Sequence, residues 1–244
     1  TISPHGLVSA IDAATGTERW TFDTRTWERP HGAMFGFHRG LSYWTDGETE
    51  RLFFGTSDAY LWAVDARTGQ LDSLFGAQGR VDLTQGLGRP VDRGLYAMVS
   101  PPLVVGDVII TGSSSADWRL RREMRGLQGP GDVRGFDART GALRWTFHSP
   151  PRDGEPGAET WEPDAWRTRG ATNAWSMLTA DEELGLVYLP FGTPDNDFYG
   201  GERPGDNLFG ESLVCLRADT GELVWYYQLV HHGLWDYDLP AAPI

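Results

Sequence analysis

Four stretches of the chain share one order of apolar and polar positions. A small or apolar pair leads into a turn ending in Thr-Gly, at Ser9-Ala10-Ile11-Asp12 to Thr15-Gly16, Trp62-Ala63-Val64-Asp65 to Thr68-Gly69, Arg134-Gly135-Phe136-Asp137 to Thr140-Gly141 and Val214-Cys215-Leu216-Arg217 to Thr220-Gly221. Three place a Trp four residues after the Gly, namely Trp20, Trp145 and Trp225, and the fourth stretch has Arg217 where the others have Asp. Asp-x-x-Thr-Gly supplies a turn with its Gly at positive φ, and the alternation on either side predicts two strands, hence an outer hairpin in each repeat. Further pairs precede these turns: Leu103-Val104-Val105 and Val108-Ile109-Ile110 around the two-residue turn Gly106-Asp107, and Arg51 to Gly55 followed by Tyr60 to Val64. The four Gly residues lie 53, 72 and 80 positions apart. Four-stranded units at irregular spacing predict an all-β propeller of about four blades with long insertions, the three Trp side chains packing between neighbouring blades.

The insertions Asp117 to Gly131, Pro150 to Gly170 and Thr193 to Gly210 are rich in Arg, Asp, Pro and Gly, and loops longer than about 12 residues in a compact domain are commonly functional. They are expected to cap one face of the sheets. Composition agrees with a β-rich chain: among 244 residues there are 11 Trp, 31 Gly and 15 Pro. The net charge is −13, with all 21 basic residues Arg, which argues against a nucleic-acid partner. A lone Cys215 excludes an intrachain disulfide, and no apolar run approaches the roughly 20 residues of a membrane span. No signal peptide is visible, and the chain opens at Thr1-Ile2-Ser3 without a Met, so processing or truncation is expected to have removed what preceded it.

Chemistry concentrates in His231-His232-Gly233-Leu234-Trp235-Asp236-Tyr237-Asp238-Leu239-Pro240, where ionisable groups sit beside bulky apolar ones. Apolar neighbours raise a carboxylic acid's pKa and nearby cations lower it, so such a stretch can tune a base. Its local composition also fits a strand end with a solvated Asp-x-Asp turn. In an extended run Asp236 and Asp238 face the same side.

Taken in order, these motifs resemble the pyrroloquinoline quinone dependent dehydrogenases, eight-bladed propellers with a Thr-Gly-x-x-x-Trp motif in their blades. The resemblance spans essentially the whole chain. It is stronger to the quinoprotein glucose dehydrogenase branch than to the methanol dehydrogenase branch, whose vicinal Cys pair is missing here. Arg39, in Arg39-Gly40-Leu41-Ser42-Tyr43-Trp44, matches the Arg that contacts a quinone carboxylate, a pairing that suits guanidinium. Gly112-Ser113-Ser114-Ser115-Ala116-Asp117 matches a loop that lays small residues, here Ser114, Ser115 and Ala116, against the ring and ends in a metal-binding carboxylate, here Asp117. Val99 stands where relatives commonly have a cofactor-bonding Thr. Thr172-Asn173-Ala174-Trp175 matches the segment whose Trp stacks on the quinone, and Trp175 lies 61 residues before Asp236, as the family spacing implies. Thr193 stands where relatives usually have a metal-ligating Asn; its hydroxyl, or nearby Asn196, would substitute with weaker calcium affinity.

The resemblance makes Asp236 the catalytic base and a metal ligand. Asp238 is implied to be structural rather than the extra lanthanide ligand found in one methanol dehydrogenase branch. The implied reaction oxidises a sugar or alcohol hydroxyl: Asp236 takes the hydroxyl proton, hydride passes to the quinone, and a cation held by Asp117, Thr193 and Asp236 polarises the quinone. Calcium is expected in preference to magnesium or a lanthanide, with ubiquinone or a cytochrome as electron acceptor. A periplasmic location is implied, any inner-membrane attachment being made by segments outside this chain. Two other readings stand beside this one: a non-catalytic propeller scaffold or binding protein, and a primary-alcohol rather than a sugar dehydrogenase. Four blade motifs against the family's eight imply that residues 1–244 are part of a longer protein whose remaining blades complete the ring.

Overall fold

Three successive residues show how the molecule is layered. Val108, Ile109 and Ile110 are all buried, yet Val108 and Ile110 enter one apolar cluster and Ile109 enters another. Side chains alternate across a strand, so a strand buried on both faces lies between two other layers. Phe53 and Phe54 divide in the same way, as do Leu61 and Ala63 against Trp62 and Val64.

The structure, a computed structural model, describes residues 1–30, 37–116, 124 and 126–244. Strands β1 (Leu7–Ile11) and β2 (Glu18–Asp23) form a hairpin. A four-stranded antiparallel sheet follows from β3 (Ser42–Thr45), β4 (Glu50–Gly55), β5 (Tyr60–Asp65) and β6 (Arg80–Asp82). The short strands β7 (Tyr96–Ala97) and β10 (Ser114–Ser115) pair with each other. They flank β8 (Leu103–Val105) and β9 (Val108–Thr111), which join β11 (Val133–Asp137) and β12 (Leu143–Phe147) in a second sheet, in the order β8-β9-β11-β12. The third sheet runs β13 (Thr179–Asp181), β14 (Leu186–Pro190), β15 (Ser212–Arg217), β16 (Leu223–Gln228) in sequence order. The first strands approach one another from sheet to sheet, β3 beside β8 and β8 beside β13. Sheets that meet at their first strands and enclose an apolar cluster between each pair are the blades of a β-propeller, as the repeats predict.

The turn chemistry follows the motif. Asp12, Asp65 and Asp137 each accept, on one carboxylate oxygen, the amides two and three residues on and the Thr hydroxyl, and the following Gly16, Gly69 and Gly141 have φ near +72°. Burial acts to raise the Asp137 carboxyl, but Arg144 and the turn hydrogen bonds outweigh it and hold the group at about 2. Without a carboxylate at Arg217, the last turn keeps the Gly221 amide to Arg217 carbonyl bond at 2.8 Å.

The second motif departs from the expected hairpin. After Gly69 only Leu71 bridges back to Val64, and the fourth strand is β6, eleven residues on from Gly69, which pairs with Tyr60 to Trp62. Position 73, four after Gly69, is Ser rather than Trp, and the joint that a Trp makes explains the difference. Trp20 donates its indole N–H to the Ala66 carbonyl at 3.2 Å, and Trp145 to that of Ala218 at 3.1 Å; a Cβ on Gly69 or on Gly221 would collide with the respective indole. Each Trp therefore docks on the Thr-Gly turn of the next unit. At the remaining joint the corresponding carbonyl belongs to Ala138, and it accepts from Arg51 Nη1 at 2.6 Å. Arg51 also reaches the Arg139 carbonyl at 2.8 Å, pairs with Asp72 at 2.5 Å and is buried against the Trp44 ring. A guanidinium thus takes the donor role of the missing indole, and its carboxylate partner sits in the loop that displaces the outer strand. Trp225, in the last sheet, is 41% exposed, with no following turn in this chain to dock on.

Removing one partner of a buried ion pair typically costs about 3–5 kcal/mol. Arg51→Ala is expected to destabilise the intact protein by about that much in denaturant unfolding, whereas Arg67→Ala, which breaks the exposed pair with Glu50, should leave stability unchanged. Equal effects of the two substitutions would show that Arg51 does not hold the joint.

Candidate functional site

The loops at one end of the sheets converge on a cleft of about 280 Å³ lined by Phe37, Arg39, Ser114, Ser115, Ala171, Asn173, Trp175, Thr193, Asp197, Phe198, Asp236 and Asp238. Arg39 reaches it just ahead of β3. Its amide is anchored on the Val99 carbonyl at 2.9 Å, and its neighbour His38 accepts the Gly40 amide on Nδ1 while Nε2 faces the Gly55 carbonyl at 2.9 Å. That pattern defines a neutral ring with the proton on Nε2, consistent with burial pushing the His38 pKa down. The Arg39 guanidinium then lies between two aromatic faces, 4.4 Å from the Phe37 ring centre and 4.9 Å from that of Trp175. It donates to Ser100 Oγ at 3.2 Å, which in turn donates to the Trp175 carbonyl at 2.5 Å. The polar residue next to Val99 thus ties Arg39 to Trp175.

Ser114 and Ser115 arrive on β10, held to Ala97 and Tyr96 of β7. Close approach of backbone keeps this wall flat: a Cβ on Gly112 would collide with the Ala174 carbonyl, and Asn173 Nδ2 donates to the Ser113 carbonyl at 2.6 Å. Ser115 Oγ is buried and has no hydrogen-bond partner among the described residues. Ala116 does not share the wall. Its amide pairs with the Leu95 carbonyl, continuing the register of β10 on β7, and its methyl is buried in a small cluster with Leu95, Ala97 and Val99. Asp117 lies outside the described residues.

The opposite wall is a latch. Asp238 accepts the Trp175 indole N–H on Oδ2 at 2.7 Å and the Thr193 amide on Oδ1 at 2.5 Å, joining three loops that follow different strands. Gly192 is required beside it, since a Cβ there would lie 2.5 Å from Asp238 Oδ1 and 3.2 Å from Trp175 Nε1. Burial raises the Asp238 pKa, opposed by the Thr193 amide; the Asp236 carboxylate raises it further, and the Trp175 indole works against both. Asp236 is exposed on the cleft rim, two residues before Asp238, and the two carboxylates line the same cleft as the alternation predicts. Asn196, the substitute weighed for Thr193, is not on the cleft wall; the loop sends Asp197 and Phe198 there instead.

Behind Thr193 stands a residue that sequence reading missed. Glu211, 1% exposed at the start of β15, accepts the Thr193 hydroxyl at 3.2 Å and the Gly233 amide. Burial pushes its pKa up against these bonds and the nearby Arg203 guanidinium. No motif marks Phe209-Gly210-Glu211-Ser212, so only the fold reveals the contact.

Among the described residues no three His, Cys, Asp or Glu side chains converge as a metal cage. The oxygen donors available to a hard cation are the Asp236 carboxylate and Thr193 Oγ1, with Asp238 beside them. Two carboxylates lining one cleft fit a cation between them. The cleft as a whole fits a flat anionic ring: an indole, a guanidinium and small residues line it together.

Fold and cleft together define a propeller with an open cleft on one rim. The chain belongs to the PQQ family of glucose, ethanol and alcohol dehydrogenases, whose β-propeller domain model matches residues 1–244. It is 34% identical to a quinate/shikimate dehydrogenase (quinone) of Acinetobacter baylyi, over 99% of this chain and 31% of that protein. Identity is also 34% to the quinoprotein glucose dehydrogenase of Escherichia coli, over 98% of this chain and 30% of the relative. The solved structure of a quinohemoprotein alcohol dehydrogenase from Pseudomonas putida superposes with a TM-score of 0.77 at 30% identity, covering 98% of this chain and 33% of that one. The chain thus spans about a third of the length of the relatives it matches.

The latch yields a direct expectation. Asp238→Ala leaves the Trp175 N–H and the Thr193 amide unpaired and frees the indole, so the intact protein should retain several-fold less quinone after dialysis, read from its absorbance. Full retention would mean that Trp175 is held by other contacts.

Proposed function

We propose that the intact protein is a quinoprotein dehydrogenase that oxidises a sugar or alcohol hydroxyl, with Asp236 as the base. The observation that carries the reading is the position of Asp236, exposed on the rim of a cleft whose inner wall is the Trp175–Asp238–Thr193 latch. Membership of the family and relatives named for glucose and quinate oxidation support it.

When bound, the quinone would supply a two-electron acceptor for the hydrogen on carbon, and a calcium ion would supply Lewis acidity. Trp175 offers the stacking face, fixed in plane by Asp238. Arg39 would pair with a ligand carboxylate, and Ser114 and Ser115 would form a small-residue wall beside the ring. Thr193 and Asp236 offer oxygen to the cation, and Asp117, outside the described residues, is the further ligand. Asp236 takes the proton from the substrate hydroxyl as the C–H bond breaks, so alcohol becomes carbonyl with one proton on the carboxylate. Phe198 and Asp197 line the cleft beside these groups. The same reading carries ubiquinone or a cytochrome as electron acceptor, a periplasmic site of action and further blades that complete the ring.

Asp236→Asn keeps size and one ligand oxygen but cannot accept a proton. General-base catalysis typically contributes about 10² to 10⁴ in rate, so the variant of the intact protein should hold its quinone while dye-linked oxidation of a sugar and alcohol panel falls by that factor. Trp175→Ala should lose the quinone first. Near wild-type turnover of Asp236→Asn at full quinone occupancy would remove Asp236 as the base, and loss of quinone from it would make Asp236 a ligand instead.

A further inference from the structure

The proton on the Thr193 hydroxyl has one destination. Thr193 Oγ1 donates to Glu211 Oε1 at 3.2 Å and accepts the Tyr237 amide at 3.2 Å, while Thr193 lines the cleft. A hydroxyl has one proton and two lone pairs, so once these bonds are made a single lone pair remains. Toward the cleft Thr193 is therefore an acceptor only, which suits a cation and disfavours an anionic oxygen.

Glu211 is fixed in this task from several sides. Its backbone is tied by its amide to the Gly192 carbonyl at 3.2 Å and by its carbonyl to the Leu229 amide at 2.9 Å. Its φ of 51° aims the side chain across the start of β15. The carboxylate fills the space beside Gly233, where an added Cβ would collide with both carboxylate oxygens and Cδ. Arg203, 1% exposed, donates to the Gly233 carbonyl and to Asn207 Oδ1, both at 2.6 Å, and supplies a buried positive charge nearby. Glycine at 233 and glutamate at 211 are thus one device: the missing side chain makes room for the carboxylate that turns the Thr193 hydroxyl.

We infer that Glu211 is a positioning residue for the cation of the proposed site, acting through Thr193 by holding its hydroxyl proton away from the cleft. The inference rests on the reading of Thr193 as a cation ligand. It offsets the weaker affinity that Thr in place of Asn would otherwise imply, because an oriented hydroxyl presents its lone pair without first turning. Residues that orient metal ligands in this way typically change metal affinity by about 10- to 100-fold when removed.

The test is a calorimetric titration of calcium into the metal-stripped, quinone-loaded intact protein, with folding checked by thermal melting. Glu211→Ala should weaken calcium binding by about 10- to 100-fold. In a Thr193→Val background, which removes the hydroxyl at nearly constant volume, the same substitution should cost nothing further. Calcium affinity unchanged in Glu211→Ala overturns the inference, and so does an equal loss in both backgrounds, which would make Glu211 only the counter-charge of Arg203. If Glu211→Ala does not fold, Glu211→Leu, which fills the space without an acceptor, carries the test: a loss of about tenfold that vanishes with Thr193→Val supports the inference, and wild-type affinity overturns it. A wild-type protein that holds quinone but binds no calcium would overturn the cation reading itself, and this inference with it.

Discussion

One carboxylate ties together three of the loops that wall the cleft. Asp238 takes the Trp175 indole and the Thr193 amide on its two oxygens, and these residues follow different strands of the chain. Without it, the indole N–H and the Thr193 amide lose the acceptor they share, and the Tyr237 amide on Thr193 Oγ1 is left to hold that loop against the C-terminal segment. The latch is half-buried and carries its own opposition, since burial favours the protonated acid while the N–H donors favour the anion. It therefore depends on neighbours that exclude bulk: Gly192 beside it, and Gly112 where the floor meets the Ala174 carbonyl.

The latch can be precise because the sheets beneath it are locked to one another. Each joint needs a donor that crosses from one unit to the carbonyl just after the next turn's first position, at Ala66, Ala138 or Ala218. Indole supplies it twice and guanidinium once. The chemistry is the same, a buried N–H finding a buried carbonyl, although the arginine also needs Asp72 for its charge. With apolar residues alternating into the clusters on both faces, the sheets hold their spacing, and loops at their ends meet with side chains already oriented.

What could be read from the sequence was whatever repeats or lies close together along the chain. The Asp-x-x-Thr-Gly turns announce themselves, and the two-residue alternation of Asp236 and Asp238 puts both on one cleft. The Gly106-Asp107 hairpin forms as the pattern predicts. Contacts between distant positions were not legible. Arg51 reads as an ordinary strand residue until Ala138 is brought against it, and Glu211 has no motif. Ala116 follows two serines that do line the cleft, and only its packing against Leu95, Ala97 and Val99 shows that its methyl belongs to the core. Ser100 was overlooked for a similar reason: its partners, Arg39 and Trp175, lie 61 and 75 residues away.

The account rests on Trp175 and its latch forming one wall of a quinone site. The most direct measurement is a crystal structure of the intact protein grown with pyrroloquinoline quinone and calcium. It should show the ring in the cleft against the Trp175 indole, with Asp238 still bonded to Trp175 and Thr193, and the cation in contact with Thr193 Oγ1 and Asp236. A quinone bound elsewhere on the propeller, or a cleft in which Trp175 has left Asp238, would contradict it.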